Sequence, residues 1–241
     1  MSVVPDQQTT RRAPRRELHP PQDWATVSPS PLDGVFIHRP LLISALFVAA
    51  GAVALLLDSS VSQGWLYRPA QGLLAAFQNW MESSLGLCEV FGHGLGALVV
   101  LLLVYHLDAA RRKAIPLLAL TALAAGLLAA VVKMSVERIR PIYLHANDGI
   151  MQSFVGWFPL WKASFSHRSF PSGHTAIAVA LAVSLSRLYP RGRLVFIALA
   201  TAVGCQRVAC GAHFLSDVCC GAAIGMLAVA LLDRQWRTTV S

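Results

Sequence analysis

The chain has 241 residues, of which 55% are hydrophobic and only 13% are charged. A soluble domain carries about 25% charged residues, so this composition excludes an ordinary soluble protein and indicates a polytopic membrane protein. The formal net charge of +8 does not require nucleic acid, because the basic residues are scattered over short loops and suit anionic headgroups.

The first forty residues differ in kind from the rest of the chain. They are rich in proline, carry four arginines between residues 11 and 16, and show little apolar periodicity. This composition predicts a disordered cytoplasmic tail over residues 1–40. The first apolar run begins only at Leu41, so we expect it to remain as a span and not to be cleaved as a signal peptide.

Six apolar runs follow the tail. A helix that crosses a membrane needs roughly 17–25 mostly apolar residues. Runs of this kind lie at residues 41–57, 86–106, 114–133, 173–189, 194–210 and 215–232. We therefore predict an all-α fold, a bundle of six transmembrane helices over residues 41–232, followed by a short cytoplasmic tail at 233–241. These runs occupy nearly half of the chain and leave no room for a second folded domain.

Two of the predicted loops have a distinct composition. Residues 73–81 place apolar side chains at helical spacing, which predicts either an interfacial amphipathic helix or a short packing helix. Residues 142–170 form the longest link between spans and are rich in aromatic residues. Because Trp favours the headgroup level, we expect this loop to lie on the outer leaflet, where it either guides a lipid tail or anchors the protein.

The positions of Lys and Arg predict the orientation. If the N-terminus is cytoplasmic, 13 of the 20 basic residues fall on the cytoplasmic side, in the tails and in the links around residues 111–113 and 187–193. Positive residues concentrate on that side of membrane proteins. Both termini are therefore expected to be cytoplasmic, in the inner or plasma membrane of a bacterium.

Three motifs put ionisable residues at the ends of apolar runs. They are Lys133-x6-Arg140-Pro141, Pro171-Ser172-Gly173-His174 and Arg207-x5-His213-x3-Asp217. Such groups cost about 2.5–3.5 kcal/mol each at mid-bilayer on insertion scales, so they mark functional positions. The predicted orientation puts all three motifs on the extracytoplasmic side. Three cations and two imidazoles at one face predict a site for an anion, and phosphate is the natural candidate.

The third motif contains a candidate nucleophile. His213 and Asp217 are four residues apart at the start of the sixth run, so a helix would present both on one face. The carboxylate could then accept a proton from one imidazole nitrogen and leave the other free to attack phosphorus.

The cations of the first and third motifs are candidates for holding phosphate. The guanidinium groups of Arg140 and Arg207 can bind phosphate oxygens bidentately, and Lys133 adds a point charge. Pro141 stiffens the backbone behind Arg140. Together the three cations can neutralise a phosphoryl group during its transfer.

The second motif opens the fourth run. The free N–H groups of a helix N-terminus bind anions, Gly173 permits a close backbone approach, and the Ser172 hydroxyl offers one more donor. His174 then stands where it can protonate a leaving oxygen. Two histidines with separate roles explain a site without a metal or other cofactor, and no Cys or His spacing in the chain matches a zinc site.

The ordered set of motifs resembles the type-2 phosphatidic acid phosphatase superfamily, the integral-membrane lipid phosphate phosphatases. The motif match spans residues 133–217, and the six-span layout extends the similarity to about residues 41–232. The resemblance implies that His213 attacks phosphorus, that His174 protonates the leaving oxygen, and that water hydrolyses the phosphohistidine. One position departs from the family, whose third motif usually begins Ser-Arg, because Gln206 precedes Arg207 here.

The resemblance also implies which residues hold the phosphoryl group. They are Lys133, Arg140, Ser172, Gly173 and Arg207. The partner is then a phosphorylated membrane lipid, and the resemblance covers prenyl diphosphate, phosphatidate, phosphatidylglycerophosphate and lipid-A-like phosphates. Of these it favours a polyprenyl diphosphate, such as undecaprenyl diphosphate, or a phosphatidate. Two alternatives stay open: a phosphotransferase with the same intermediate, and a non-catalytic binder or transporter of anionic lipids.

Two further ionisable residues receive weaker interpretations. Arg138 is expected either to contact phosphate or to pair with Glu137, and it is placed in a second layer behind the residues that hold phosphate. Glu89 flanks the second run and is assigned no catalytic role.

Overall fold

The structure is a computed structural model that describes residues 39–62, 72, 76, 83–145, 149–160 and 163–240. The predicted N-terminal tail lies outside the described residues apart from its last two. The predicted amphipathic helix at 73–81 also lies outside them apart from Ala76.

Helices make up most of the described chain, as predicted. Those with two described ends are α1 (Pro40–Ser62), α2 (Gly94–Leu107), α3 (Ile115–Lys133), α4 (Gly173–Leu188), α5 (Arg193–Ala209), α6 (Leu215–Leu231) and α7 (Asp233–Val240). Each of the six predicted apolar runs overlaps one of the helices α1–α6. A further helical segment, Ser83–Gly92, precedes α2 and is bent from it by 69°.

Three helices of the described chain are long and apolar enough to cross a membrane. They are Pro40–Ser62, Ala109–Lys133 and Pro190–Ala209, and two bent helix pairs raise the number to five. Helix α4 has 16 residues and is therefore about 24 Å long, less than the roughly 30 Å of a bilayer core. The chain is thus an integral membrane protein, whereas the count of six spans stays a prediction.

Helix α4 is the central helix of the bundle. Small residues such as Ala176 and Ala180 are fully buried on it and pack against α3 and α6. Helix α6 approaches the start of α4 closely, because a Cβ atom at Gly221 would lie only 2.4 Å from the Ser172 carbonyl oxygen. Only glycine fits at this crossing, which brings the second and third motifs together.

Helix α1 runs antiparallel to α6 and packs along it. Near one end of this contact the Ser44 hydroxyl donates to the Ala223 carbonyl oxygen at 2.8 Å. Near the other end the Asp58 carboxylate accepts from the Ser216 backbone N–H at 3.0 Å. The second contact lies at the end of the bundle that carries the motifs, so α1 reaches the candidate site.

The C-terminal residues, which were predicted to form a short cytoplasmic tail at 233–241, form a packed helix over Asp233–Val240. Trp236 of α7 is buried and donates its Nε1–H to the Thr121 hydroxyl at 3.1 Å. Arg187 at the end of α4 pairs with Asp233 at 2.8 Å. An isolated eight-residue helix is marginal in water, so these contacts hold α7 in place.

A small sheet that the all-α prediction did not include lies beside the motifs. Strands β1 (Val136–Arg138) and β2 (Phe154–Trp157) pair in antiparallel register, with an irregularity between Glu137 and Arg138. The sheet folds part of the aromatic loop back onto the first motif. Trp157 is 77% exposed, but the location of this loop on the outer leaflet stays a prediction.

Candidate active site

The cations of the first motif stand on either side of β1. Lys133 ends α3, and its ammonium donates to the Arg168 carbonyl oxygen at 3.3 Å. Arg140 follows β1, donates from Nε to the Phe165 carbonyl oxygen at 3.1 Å, and stacks on the Phe165 ring at 3.8 Å. These contacts orient the two cations through carbonyl oxygens and an aromatic ring.

The second motif forms the N-terminus of α4. The Ser172 hydroxyl caps the helix, accepting from the Thr175 hydroxyl at 2.9 Å and from the Thr175 backbone N–H at 3.4 Å. Ser172 is fully buried, so its main observed role is to cap the helix. A Cβ atom at Gly173 would meet nothing within 4 Å, which leaves open space in front of the helix N-terminus.

Backbone hydrogen bonds tie the three motifs together at one end of the bundle. The Ser172 N–H donates to the Asp217 carbonyl oxygen at 3.0 Å, and the Ile142 N–H donates to the Gly211 carbonyl oxygen at 3.0 Å. Within the third motif the His213 N–H donates to the Arg207 carbonyl oxygen at 3.1 Å. The structure therefore brings the predicted residues into one cluster.

His213 lies before α6 and not on it, so the expectation that a helix presents His213 and Asp217 on one face was wrong. Helix α6 begins at Leu215, and the Asp217 carboxylate turns back to accept from the Phe214 N–H at 2.9 Å. The separation between His213 Nδ1 and Asp217 Oδ2 is 3.8 Å, longer than a hydrogen bond. The two side chains are neighbours, and a small shift would join them.

The imidazole of His213 is buried and poised for such a bond. Its side chain is 2% exposed, and within the described residues Nδ1 has no hydrogen-bond partner. Burial lowers the pKa of His213 to about 4, and the charges of Lys133 and Arg140 act in the same direction. The ring is therefore neutral at pH 7, which is the form of imidazole that can attack an electrophile.

Arg207 is paired with an acid that the sequence analysis assigned no role. Its Nη2 lies 2.5 Å from Glu89 Oε2, and its Nε donates to the side-chain oxygen of Gln206. Gln206, the residue that departs from the family pattern, also reaches Glu89 at 3.4 Å. Gln206 thus holds the arginine and the acid in one group.

Glu89 also lies beside His174. Its Oε1 is 3.5 Å from His174 Nε2, which makes it the acidic neighbour that would balance an imidazolium. The segment Glu89–Gly92 approaches α4 closely, since a Cβ atom at Gly92 would lie 2.6 Å from the His174 carbonyl oxygen. An acid at the edge of an apolar run was the sequence signal for this residue.

Arg138 lies in a second layer behind the site, which is one of the places predicted for it. It is fully buried and bonded to Asp58 and Asp217, not to Glu137. Glu137 instead pairs with His167, whose Nδ1 lies 2.7 Å from the carboxylate. Arg138 therefore belongs to the interior behind the site and not to its phosphate-facing surface.

The cluster carries an excess of positive charge. Burial lowers the pKa of Arg140, and the neighbouring charge of Arg207 lowers it further. His174 also lies close enough to Arg207 and His213 for their charges to act on its imidazole. Cations that repel one another in this way favour an anion with several oxygens, and a phosphoryl group matches this requirement. Among the described residues, His, Cys, Asp and Glu side chains form no group of three that could hold a metal.

An apolar cavity of about 630 Å³ is lined by residues of α1, α4, α5 and α6. It begins at Thr175 and Val208, which follow His174 and Arg207 in the chain, and extends to Ser186 and Arg193 at the opposite end of the helices. Its volume lies within the range of roughly 300–1,000 Å³ that small-molecule sites occupy. One end of the cavity is therefore next to the motif cluster in the chain, although none of Lys133, Arg140, His174, Arg207 and His213 lines it.

Comparison with known proteins identifies similar sequences. A sequence model of the PAP2 superfamily matches residues 113–240. The chain is 39% identical to proteins named lipid A 1-phosphatase from Rhizobium etli and Rhizobium johnstonii. The matched segment has 105 residues, which is 44% of the chain. The match covers 43% and 41% of those proteins, so the chain spans less than half the length of the curated relatives it matches.

A solved structure shares the fold. It is the first transmembrane PAP2-type phosphatidylglycerolphosphate phosphatase from Bacillus subtilis, with a TM-score of 0.58 and 20% sequence identity. The alignment covers 84% of this chain and 98% of that one. At this identity the likeness shows a common architecture, which includes helices outside the residues that the superfamily model matches.

Proposed function

The chain belongs to the PAP2 superfamily, and on that premise we propose that it is a lipid phosphatase that hydrolyses a phosphate ester or diphosphate of a membrane lipid. The observation that carries the proposal is the single cluster in which three cations surround two imidazoles beside an apolar cavity. The cations suit a phosphoryl group, the imidazoles suit its transfer, and the cavity suits a lipid tail.

His213 is the proposed nucleophile. Its Nδ1 faces Asp217, so Nε2 is the nitrogen that attacks phosphorus, forming the P–N bond as the P–O bond to the lipid breaks. The imidazole gains positive charge as this bond forms. The ring, whose Nδ1 lies 3.8 Å from Asp217 Oδ2, would then turn towards the carboxylate, and the resulting hydrogen bond would stabilise that charge.

Lys133, Arg140 and Arg207 are proposed to hold the three non-bridging oxygens, with the free N–H groups at Gly173 as further donors. In the structure the Glu89 carboxylate forms an ion pair with Arg207, in the way that an anionic oxygen of phosphate would. The substrate would displace Glu89 from Arg207. The acid would then remain beside His174, where a negative charge favours the protonated ring.

His174 is proposed as the general acid. It gives its proton to the lipid oxygen as that oxygen leaves, and so no lipid alkoxide has to form. In the second half of the reaction a water molecule attacks the phosphohistidine. His174 takes one proton of that water, inorganic phosphate leaves, and His213 returns to the neutral imidazole.

The substrate class follows from the surroundings of the cluster. The candidates are a polyprenyl diphosphate, a phosphatidate and a lipid-A-type phosphate, and the relatives named lipid A 1-phosphatase support the last of them. All three present a phosphate at a membrane surface with apolar chains below it. We place the reaction at the extracytoplasmic face, on the basis of the Lys and Arg distribution.

Phosphate release from a panel of lipids tests this function. The purified protein in detergent is given lipid A, undecaprenyl diphosphate and phosphatidate in excess EDTA, and inorganic phosphate is measured. Release from at least one lipid is expected, and EDTA should leave the rate unchanged. Transfer of labelled phosphate to another lipid would indicate a phosphotransferase, whereas binding without turnover would indicate a transporter or binder.

Blocking the cavity should weaken binding of long-chain substrates. Thr201 lines the cavity from α5 and is exposed, so Thr201→Trp fills space without entering the packed interior. Displacing one or two methylene groups costs about 1–1.5 kcal/mol, so we expect KM for the lipid to rise about tenfold.

Two comparisons isolate the effect of the cavity. A short-chain, water-soluble phosphate ester should keep its KM within about twofold in Thr201→Trp, because it does not reach that depth. The matched control is Leu98→Trp, at a 50% exposed position on α2 away from the cavity, which should leave both values unchanged. An equal change for long and short substrates would contradict the assignment of the cavity to the lipid tail.

A further inference from the structure

A fully buried ionic network lies directly behind the candidate nucleophile. Arg138 joins two acids from distant parts of the chain, Asp58 on α1 and Asp217 on α6, and the side chains of all three are 0% exposed. Asp58 lies outside residues 113–240, to which the superfamily model matches. The functional reading of the motifs therefore leaves this acid without a role.

Every nitrogen of the Arg138 guanidinium donates at least one hydrogen bond to another protein side chain. Nη2 donates to Asp58 at 2.9 Å, Nη1 donates to Asp217 and to Ser216 Oγ, and Nε donates to Ser153 Oγ at 3.2 Å. The rings of Phe154 and Phe214 cover its two faces at 4.4 and 4.0 Å. With four of its five N–H donors used, its faces covered and its side chain 0% exposed, this arginine has no surface for a phosphate.

The acids are held as tightly as the arginine. Asp58 accepts from the Ser216 backbone N–H at 3.0 Å and also from the Ser216 hydroxyl. Asp217 accepts from Ser169 Oγ at 2.5 Å and from the Phe214 N–H at 2.9 Å. The Asp217 carboxylate is thus fixed from three sides, and its Oδ2 is the oxygen that lies 3.8 Å from His213 Nδ1.

We infer that Asp58 and Arg138 are positioning residues that hold the Asp217 carboxylate against His213. Arg138 sets the rotamer of Asp217, and Asp58 sets the position of Arg138 while its negative charge balances the second half of the guanidinium. Helix α1 then contributes a positioning residue to the site and is not only a membrane anchor. This inference rests on the proposed phosphatase function, and it assigns neither residue a contact with the substrate.

The test is the variant Asp58→Asn, which keeps the shape of the side chain. An asparagine has one acceptor oxygen and no charge, so it cannot accept from Ser216 and from Arg138 as aspartate does. A displacement of a catalytic group by about 1 Å can cost about 100-fold in rate. We expect kcat for phosphate release to fall about 10–100-fold, while KM and the inhibition constant of inorganic phosphate stay within about twofold.

Asp233→Asn is the matched control, because it removes the same charge from an ion pair at the opposite end of the bundle. It should lower the thermal stability of the purified protein without lowering kcat. Ser216→Ala provides a gentler variant should Asp58→Asn fold poorly. It removes one hydroxyl shared by Asp58 and Arg138, and it should lower kcat several-fold at unchanged KM.

The outcomes separate the inference from the function on which it rests. Active wild-type protein with wild-type kcat in folded Asp58→Asn would overturn the positioning role alone. A parallel rise in KM and in the phosphate inhibition constant would overturn it too, since it would make the network part of phosphate binding. A wild-type protein that releases no phosphate from any lipid would overturn the proposed function first, and the inference with it.

Discussion

Replacing His213 with asparagine is expected to reduce phosphate release by at least about 10³-fold, because the variant has no imidazole nitrogen to attack phosphorus. Asparagine is smaller and polar, and the residue precedes α6, so the helices should pack as before. The measurement is single-turnover phosphate release from a lipid substrate that the wild-type protein hydrolyses.

The covalent step can be observed separately. With labelled substrate and rapid acid-free quenching, the wild-type protein should carry label that is stable to base and labile to acid, as a P–N bond is. The His213→Asn protein should carry none. His106→Asn is the matched control, since His106 is an exposed histidine on α2 that contacts Tyr105. Turnover by His213→Asn at the wild-type rate would remove the covalent mechanism.

Replacing His174 with asparagine should produce a loss that depends on the leaving group. For a lipid phosphate, whose alkoxide is a poor leaving group, we expect kcat to fall about 10²–10⁴-fold, as for the loss of a general acid. For an aryl phosphate such as p-nitrophenyl phosphate the leaving oxygen needs no proton. The fall should then be less than about tenfold.

This contrast distinguishes an acid from a phosphate ligand. If His174 only bound the phosphoryl group, its loss would slow both substrates by the same factor, and that result would contradict the role proposed here. Glu89→Gln offers a related comparison, because it removes the acidic neighbour 3.5 Å from His174 Nε2 while keeping the shape of the side chain.

The sequence predicted the parts of the fold that depend on local composition. Apolar runs at 173–189 and 215–232 contain α4 at Gly173–Leu188 and α6 at Leu215–Leu231, since length and hydropathy suffice to find such helices. The prediction that one helix carries both His213 and Asp217 was wrong, because α6 begins at Leu215, after His213. An Asp three residues into α6 bonds the Phe214 N–H, and Phe at that position hides the usual capping pattern.

Contacts between residues far apart in the chain could not be predicted from the sequence. Asp58 lies 80 positions before Arg138 and 158 before Ser216, and no local pattern connects them. An acid at the end of an apolar run is a functional signal, but identifying its partner requires the fold. Glu89 was missed for the same reason, because its contacts are with His174 and Arg207 on helices that come much later.

The separation of Asp58 from its partners has a consequence for biogenesis. Helix α1 leaves the ribosome long before Arg138 has been synthesised, so it enters the bilayer carrying an acid whose counter-ion does not yet exist. Until then the carboxylate must stay hydrated at the lipid–water boundary or carry a proton. Only when α6 arrives with Ser216 can the acid be sequestered, which makes insertion of the last long helix the event that locks the first one in place.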